Sequence, residues 1–136
     1  MTARREIYGS PGMDSLWHTP QVSTRSPITT HALDTALGTP ARGLGAVLER
    51  LDDGGARELA RGVTNDDGRI TDWLPPEPIE PGIYRVTFAT REYLAATDRT
   101  GFYPRVVVEF EITDPAAHHH VPLLLSPWGY STYRGS

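Results

Sequence analysis

The sequence predicts an all-β sandwich of about eight strands in two sheets, with one short helix. Short runs in which apolar and polar residues alternate recur along most of the chain, and turn residues such as Gly, Pro, Asn and Asp separate these runs. Only residues 91–98 have the apolar spacing that favours a helix. At 136 residues, the chain is long enough to form one domain with its own hydrophobic core.

Four strands are predicted in the first part of the domain, at residues 28–37, 45–51, 58–64 and 69–74. Gly and Pro in residues 38–40 end the first strand, and the sequence Asp-Asp-Gly-Gly at residues 52–55 ends the second. Asn-Asp-Asp-Gly at residues 65–68 predicts a tight hairpin turn, because these residue types tolerate positive φ angles.

Four further strands are predicted in the second part, at residues 82–90, 105–112, 118–125 and 129–134. The alternation is clear at Tyr84, Val86 and Phe88, which share one face of their strand. The helix at residues 91–98 has about two turns and is predicted to bury Tyr93 and Ala96, with Leu94 as a further candidate.

Residues 1–27 are rich in Ser, Thr and Pro and show no hydrophobic periodicity. This composition predicts a flexible N-terminal extension. The folded domain is therefore predicted to comprise residues 28–136.

Charge and composition exclude several classes of function. The formal net charge of −4 and the absence of a Lys/Arg run argue against nucleic-acid binding. Without cysteine, the chain can form neither disulfides nor thiolate-based catalytic or metal sites. No apolar run approaches the roughly 18 residues of a membrane span. We therefore expect a soluble, cytoplasmic protein that binds neither membranes nor nucleic acids.

The stretch of residues 118–136 combines several kinds of polar chemistry. It begins with three histidines, continues through an apolar strand, and keeps aromatic, hydroxyl and cationic residues up to Ser136. Chain termini are usually polar and frayed, whereas this stretch keeps residue types typical of ordered structure up to its last position. The strand and tail together are therefore predicted to build a polar pocket. The alternative is a terminal strand that merely completes a sheet.

Strand alternation places His118 and His120 on one face and His119 on the other. Such a pair could chelate zinc, with His31 as a third ligand, although no further acidic or histidine partner has a suitable spacing. Alternation also directs Asp34 away from His31, so these two residues do not form a local dyad. No Gly-x-Ser-x-Gly motif supports serine catalysis.

Exposed strand edges favour pairing with another subunit. The run at residues 121–125 is apolar on both faces. The sequence therefore predicts an oligomer.

Four stretches together resemble the 5-hydroxyisourate hydrolases, the enzyme branch of the transthyretin family. They are residues 31–41, which begin His-Ala-Leu-Asp, residues 64–70, the Gly-Phe-Tyr-Pro of residues 101–104, and residues 120–136. All occur in family order, and the closing Tyr-Arg-Gly-Ser separates the hydrolases from transthyretin proper. The chain departs from the usual family pattern with Ala32 for Val, His119 for an aromatic residue and Trp128 for Tyr.

This resemblance implies a transthyretin-like sandwich without a metal or other cofactor. It also implies a homotetramer built as a dimer of dimers, with active sites at the dimer–dimer interface. The catalytic residues that it implies are His31, Arg69 and His120. The substrate-binding residues that it implies are Tyr133, Arg134 and Ser136.

The activity implied by the resemblance is the hydrolysis of 5-hydroxyisourate to 2-oxo-4-hydroxy-4-carboxy-5-ureidoimidazoline in urate degradation. Water attack on a ring carbonyl needs a base, stabilisation of the developing oxyanion and a proton for the leaving nitrogen. The two histidines would transfer the protons, and Arg69 would orient the substrate. A non-catalytic small-molecule binding protein and a metal-dependent hydrolase are the alternatives.

Overall fold

The computed structural model describes residues 25–136, which contain nine strands and one helix. In chain order these are β1 (Ile28–Asp34), β2 (Thr39–Pro40), β3 (Gly45–Asp52), β4 (Gly55–Val63), β5 (Arg69–Ile70), β6 (Gly82–Phe88), α1 (Thr90–Ala96), β7 (Val106–Ile112), β8 (His119–Ser126) and β9 (Gly129–Thr132). No helix in this part of the chain is long and apolar enough to cross a membrane. Residues 1–24, most of the predicted extension, lie outside the described residues.

The strands form two sheets, as predicted. One sheet has the order β2-β1-β8-β9, with β5 also paired to β1, and the other has the order β4-β3-β6-β7. Strands β1 and β8 run parallel, with Ile28 opposite His119 and Asp34 opposite Leu125. This pairing places the first described strand directly beside the histidine-containing strand near the C-terminus.

The core lies between the sheets and follows the predicted alternation. Tyr84, Val86 and Phe88 of β6 are almost completely buried, as are Leu123 and Leu125 of β8. Burial of each such large apolar side chain stabilises the fold by about 1.5–3 kcal/mol. Because the odd-numbered residues of β8 face this core, the even-numbered residues lie on the outer face of the sheet.

The predicted strands at 82–90 and 129–134 each end two residues early, at Phe88 and Thr132, and two others end earlier still. Strand β1 ends at Asp34 rather than at residue 37, because the N–H of Gly38 bonds to Asp34 O in a turn, and the returning Thr39–Pro40 forms the unpredicted β2. Strand β5 stops at Ile70 rather than at residue 74. There the chain turns to bury Trp73, whose indole N–H donates to Ile28 O at 2.6 Å.

Helix α1 is confirmed within two residues of its predicted bounds. Its buried side chains are Thr90, Tyr93 and Leu94, which form one stripe along the helix. The predicted burial of Ala96 is wrong: this residue is exposed, because it lies outside that stripe.

A buried carboxylate ties the helix to β1. Asp34 is 1% exposed, and it accepts hydrogen bonds from Tyr93 Oη at 2.7 Å and from Arg99 Nη2 at 2.6 Å. Asp34 thus points away from His31, as strand alternation predicts, and holds the end of α1 in place.

One edge strand of each sheet carries an exposed apolar side chain. Strand β7 is an edge of one sheet and β9 is an edge of the other. Val107 on β7 is 51% exposed, and Tyr130 on β9 is 41% exposed. Unpaired edges with exposed apolar side chains favour association with another strand.

Candidate functional site

Three side chains predicted from the sequence lie together on the outer face of the five-stranded sheet. His31 on β1 is the direct cross-strand partner of Arg69 on β5. His120 on β8 lies beside β1, and its ring centroid is 6.5 Å from that of His31. The site therefore combines two imidazoles and one guanidinium, which can transfer protons and stabilise negative charge.

A tight turn fixes the position of Arg69. Asn65 Oδ1 accepts hydrogen bonds from the backbone N–H groups of Asp67 and Arg69. Gly68 has φ +76°, and a Cβ atom there would lie 2.3 Å from Ala32 O. Gly68 can therefore approach β1 closely, and its O accepts a 2.7 Å hydrogen bond from the N–H of Ala32. The predicted tight turn at residues 65–68 is confirmed, but the predicted hairpin is wrong, because β4 pairs with β3 in one sheet and β5 pairs with β1 in the other.

The surroundings of both histidines favour the neutral imidazole. Burial lowers the pKa of His31, and the positive charge of Arg69 lowers it further, although the backbone and charge of Asp67 oppose the shift. Burial also lowers the pKa of His120, with further contributions from Arg69, His31 and Arg25. Neutral imidazoles can accept protons at physiological pH.

A buried hydroxyl joins two of the histidines. Thr29 Oγ1 lies 2.8 Å from His120 Nδ1 and 2.9 Å from His118 Nε2. The rings of His118 and His120 are 6.3 Å apart, which confirms that these two residues share a face. Burial and the charge of Arg25 lower the pKa of His118 to about 4.

The C-terminal tail packs against His120. The N–H of Gly135 donates to His120 O at 2.9 Å. A Cβ atom at Gly135 would lie 2.5 Å from His120 Cδ2 and 3.1 Å from Pro122 Cγ. The Gly of the Tyr-Arg-Gly-Ser ending is therefore the residue that allows the tail to lie flat on the imidazole.

The three predicted substrate-binding residues do not all line the same cavity. Tyr133 and Arg134 line a cavity of about 330 Å³, which also borders His119 and His120 and opens between β7 and the tail. Arg134 is close enough to His119 to lower its pKa, after burial as the main cause. Ser136 follows Gly135 and is exposed. The tail thus contacts the site directly through Gly135.

His119 lies on the opposite face of β8 from His120. It is 6% exposed, and its Nδ1 atom has no hydrogen-bond partner within residues 25–136. The same part of the chain contains no group of three or more acidic or histidine residues arranged to hold a metal ion.

Two residues of the site, Thr29 and Gly135, were not predicted as individual contributors. The spacing of Thr29, two residues before His31 on the same strand, indicates a shared face and could have suggested its position. Gly135 belongs to the predicted tail motif, but its contact with the His120 ring depends on a chain path that spacing does not reveal.

The sandwich carries on one sheet an imidazole–guanidinium cluster, which has the side chains that an acid–base hydrolase needs. Residues 28–135 match the model of the HIUase/Transthyretin family, and the chain belongs to that family. This match covers both predicted histidines, Arg69 and most of the tail.

Individual relatives agree with this assignment. The chain is 50% identical to a 5-hydroxyisourate hydrolase of Mus musculus over 113 residues, which cover 82% of this chain and 96% of the relative. The solved structure of the Klebsiella pneumoniae 5-hydroxyisourate hydrolase is 39% identical, with a TM-score of 0.69 over 80% of this chain and 92% of that one. Sea bream transthyretin, solved in complex with thyroxine, is 31% identical, with a TM-score of 0.76 over 81% and 95%. The predicted family, fold class and hydrolase class are therefore confirmed.

Proposed function

We propose that this chain hydrolyses 5-hydroxyisourate to 2-oxo-4-hydroxy-4-carboxy-5-ureidoimidazoline, as a step of urate degradation. The observation that carries the proposal is the cluster of His31, Arg69 and His120 on one sheet face, with His31 and Arg69 in direct register. The relatives named as 5-hydroxyisourate hydrolases support this choice of substrate.

The proposed reaction is a general acid–base hydrolysis. One neutral imidazole removes a proton from water, the water oxygen bonds to a ring carbonyl carbon, and the ring C–N bond then breaks. The leaving nitrogen takes up a proton, and the new carboxyl group loses one. His31 and His120 carry these protons. Because the pKa values of both histidines are lowered, the imidazoles are neutral and can accept a proton.

Arg69 has two roles in this mechanism. Its planar guanidinium donates to the carbonyl oxygens of the flat substrate and stabilises the oxyanion as it forms. Its charge also disfavours the imidazolium form of the nearby histidines. We propose further substrate contacts from Tyr133, Arg134 and Ser136.

We propose that the reaction requires no metal ion or other cofactor. The guanidinium beside the two imidazoles makes the cluster unfavourable for a second cation. Activity should survive exhaustive dialysis against a chelator. Loss of activity on chelation, with recovery on adding zinc, would contradict the metal-free mechanism and favour a metal-dependent hydrolase.

The proposal is tested by following the decay of 5-hydroxyisourate, generated freshly by urate oxidase. The wild-type protein should accelerate the decay over buffer, and His120→Ala should lose this acceleration while remaining folded. His119→Phe is the matched control, because it replaces the neighbouring histidine on the opposite face and should keep activity. If the wild type gives no acceleration, the alternative is a small-molecule binding protein, as sea bream transthyretin is for thyroxine.

We also propose a homotetramer that is a dimer of dimers, with sites at the dimer–dimer interface. The exposed edges β7 and β9 and their apolar side chains support association. Light scattering coupled to gel filtration should give four times the chain mass, and a monomer would contradict the proposal. The domain bounds of 28–136, the flexible extension at 1–27 and the cytoplasmic location stay predictions.

A further inference from the structure

The strongest unassigned feature of the site is the chain of contacts from His118 through Thr29 to His120. The two contacts of Thr29 Oγ1, at 2.9 Å and 2.8 Å, are both within hydrogen-bond distance. Thr29 is 1% exposed, so little water can compete for its hydroxyl. Buried polar groups are almost always hydrogen-bonded, and leaving one unpaired is costly.

The chemistry of a hydroxyl restricts how these contacts are made. A threonine hydroxyl has one hydrogen to donate and two lone pairs that accept. Thr29 Oγ1 has no other hydrogen-bond partner among residues 25–136, so it donates to one of the two rings and accepts from the other. The two imidazoles are neutral at physiological pH because their pKa values are lowered, so each carries one N–H. Two arrangements satisfy this condition, and they give His120 opposite tautomers.

The charge of Arg69 selects between the two arrangements. Because Nδ1 of His120 contacts Thr29, Nε2 is the nitrogen that remains for the face that His120 shares with His31, and Arg69 is the cross-strand partner of His31 on that face. A lone pair directed towards a cation is favoured, whereas an N–H directed towards it is disfavoured. The arrangement that this rule favours has the His120 hydrogen on Nδ1, donated to Thr29, and the Thr29 hydroxyl donated in turn to Nε2 of His118.

We propose that Thr29 and His118 are positioning residues that fix the tautomer and orientation of His120, so that His120 presents the Nε2 lone pair as the base. Thr29 and His120 are register partners across the parallel strands β1 and β8, which sets the distance between them. Gly135 packs against the ring from the tail. The catalytic use of this lone pair rests on the proposed function, whereas the tautomer does not.

The first test needs no substrate. In ¹⁵N NMR of the histidine side chains at pH 8, His120 of the wild type should have a protonated Nδ1 and an unprotonated Nε2. Thr29→Val removes the hydroxyl at nearly constant shape, and it should give a mixture of both tautomers at His120. Thr29→Ser keeps the hydroxyl and should preserve the wild-type signal. An unchanged His120 tautomer in Thr29→Val would overturn the proposal.

The second test uses kinetics. Thr29→Val should lower kcat by about 10-fold to 100-fold, the loss typical of residues that orient a functional imidazole, with KM little changed. His118→Phe removes the acceptor for the Thr29 hydroxyl and should lower kcat to a smaller extent. Thr29→Ser should restore kcat nearly to the wild-type value.

Thr30→Val is the matched control for a structural effect. Thr30 is the next residue of β1, is fully buried, and donates its hydroxyl to Val121 O at 2.6 Å, on the opposite face. The Thr30→Val variant should lose as much stability as Thr29→Val but keep the wild-type kcat. Equal losses of kcat in Thr29→Val and Thr30→Val would overturn the positioning role. If the wild type did not hydrolyse 5-hydroxyisourate at all, the proposed function would fail, and the NMR result would still decide the tautomer.

Discussion

His31 and Arg69 are direct cross-strand partners in the antiparallel pairing of β1 with β5. Side chains of such partners lie on the same face, with Cβ atoms about 4.5–5.5 Å apart. The relationship places a cation beside an imidazole without requiring a contact between flexible side chains, because the backbone ladder itself sets the spacing. The charge of the site follows from it, and Arg69 also lowers the pKa of His31, after burial as the main cause.

Arg69→Ala should abolish most of the activity. Removal of a donor that stabilises a developing oxyanion typically costs about 10²–10³-fold in kcat. Arg42→Ala is the control, because Arg42 is a largely exposed arginine near the same turn, 3.6 Å from Asp66. The rate of 5-hydroxyisourate decay measures both variants. Comparable losses in the two would show that Arg69 acts through the turn and not through its guanidinium.

The pH dependence of kcat/KM should reflect the lowered histidine pKa values. Burial and then Arg69 lower the pKa of His31 and of His120 below 6.5, so the neutral, active form persists below that pH. Activity should therefore decline on acidification with a midpoint below pH 6.5. In Arg69→Lys the cation is kept and this midpoint should stay low, whereas in Arg69→Ala the midpoint of the residual activity should rise. A wild-type midpoint above 6.5 would contradict the role of neutral imidazoles as bases.

Gly135→Ala should impair catalysis more than folding. The new methyl group would lie 2.5 Å from His120 Cδ2, so either the imidazole or the tail has to move. A displaced catalytic group commonly costs about 10²-fold in rate. Gly129→Ala is the control, since the nearest atom to its Cβ is Ser126 Oγ at 3.9 Å. Circular dichroism should show both variants folded, and only Gly135→Ala should lose activity.

Asp34→Asn should destabilise the fold by about 3 kcal/mol, because it leaves Arg99 without its buried carboxylate partner. Burial raises the pKa of Asp34, but hydrogen bonds from Arg99 and Tyr93 outweigh this, so the net pKa is lowered. The stabilisation is thus complete above the unfolded value of about 3.8 and is lost as pH falls through the folded value. Urea unfolding at pH 7 and at pH 3 measures both effects.

The control for Asp34→Asn is Glu58→Gln, which removes one partner of the exposed pair with Arg61 and should leave the unfolding midpoint unchanged. Asp34 faces away from His31, so Asp34→Asn should keep kcat under conditions in which it is folded. A specific loss of kcat without loss of stability would instead indicate that Asp34 acts in the site.

The sequence by itself determined the fold class and most strand positions, and its resemblance to the hydrolase family named the three residues of the candidate cluster. Alternation is a local property of the backbone, so residue order suffices to assign Tyr84, Val86 and Phe88 to the core, and His118 and His120 to a shared face. The turn at residues 65–68 was equally predictable, since positive φ is a property of single residues such as Gly68.

Only the tertiary structure decided how these elements meet. The parallel pairing of β1 with β8 brings Thr29 opposite His120, and no local pattern specifies which distant strands pair or in which register. The ends of β1 and β5 were decided by long-range hydrogen bonds such as that from Trp73 to Ile28. The need for glycine at position 135 likewise arises from a ring that the tail meets only in the folded chain. Spacing along the chain predicts which face of a strand a side chain occupies. Which side chains it meets on neighbouring strands depends on the free energy of the whole packed sandwich.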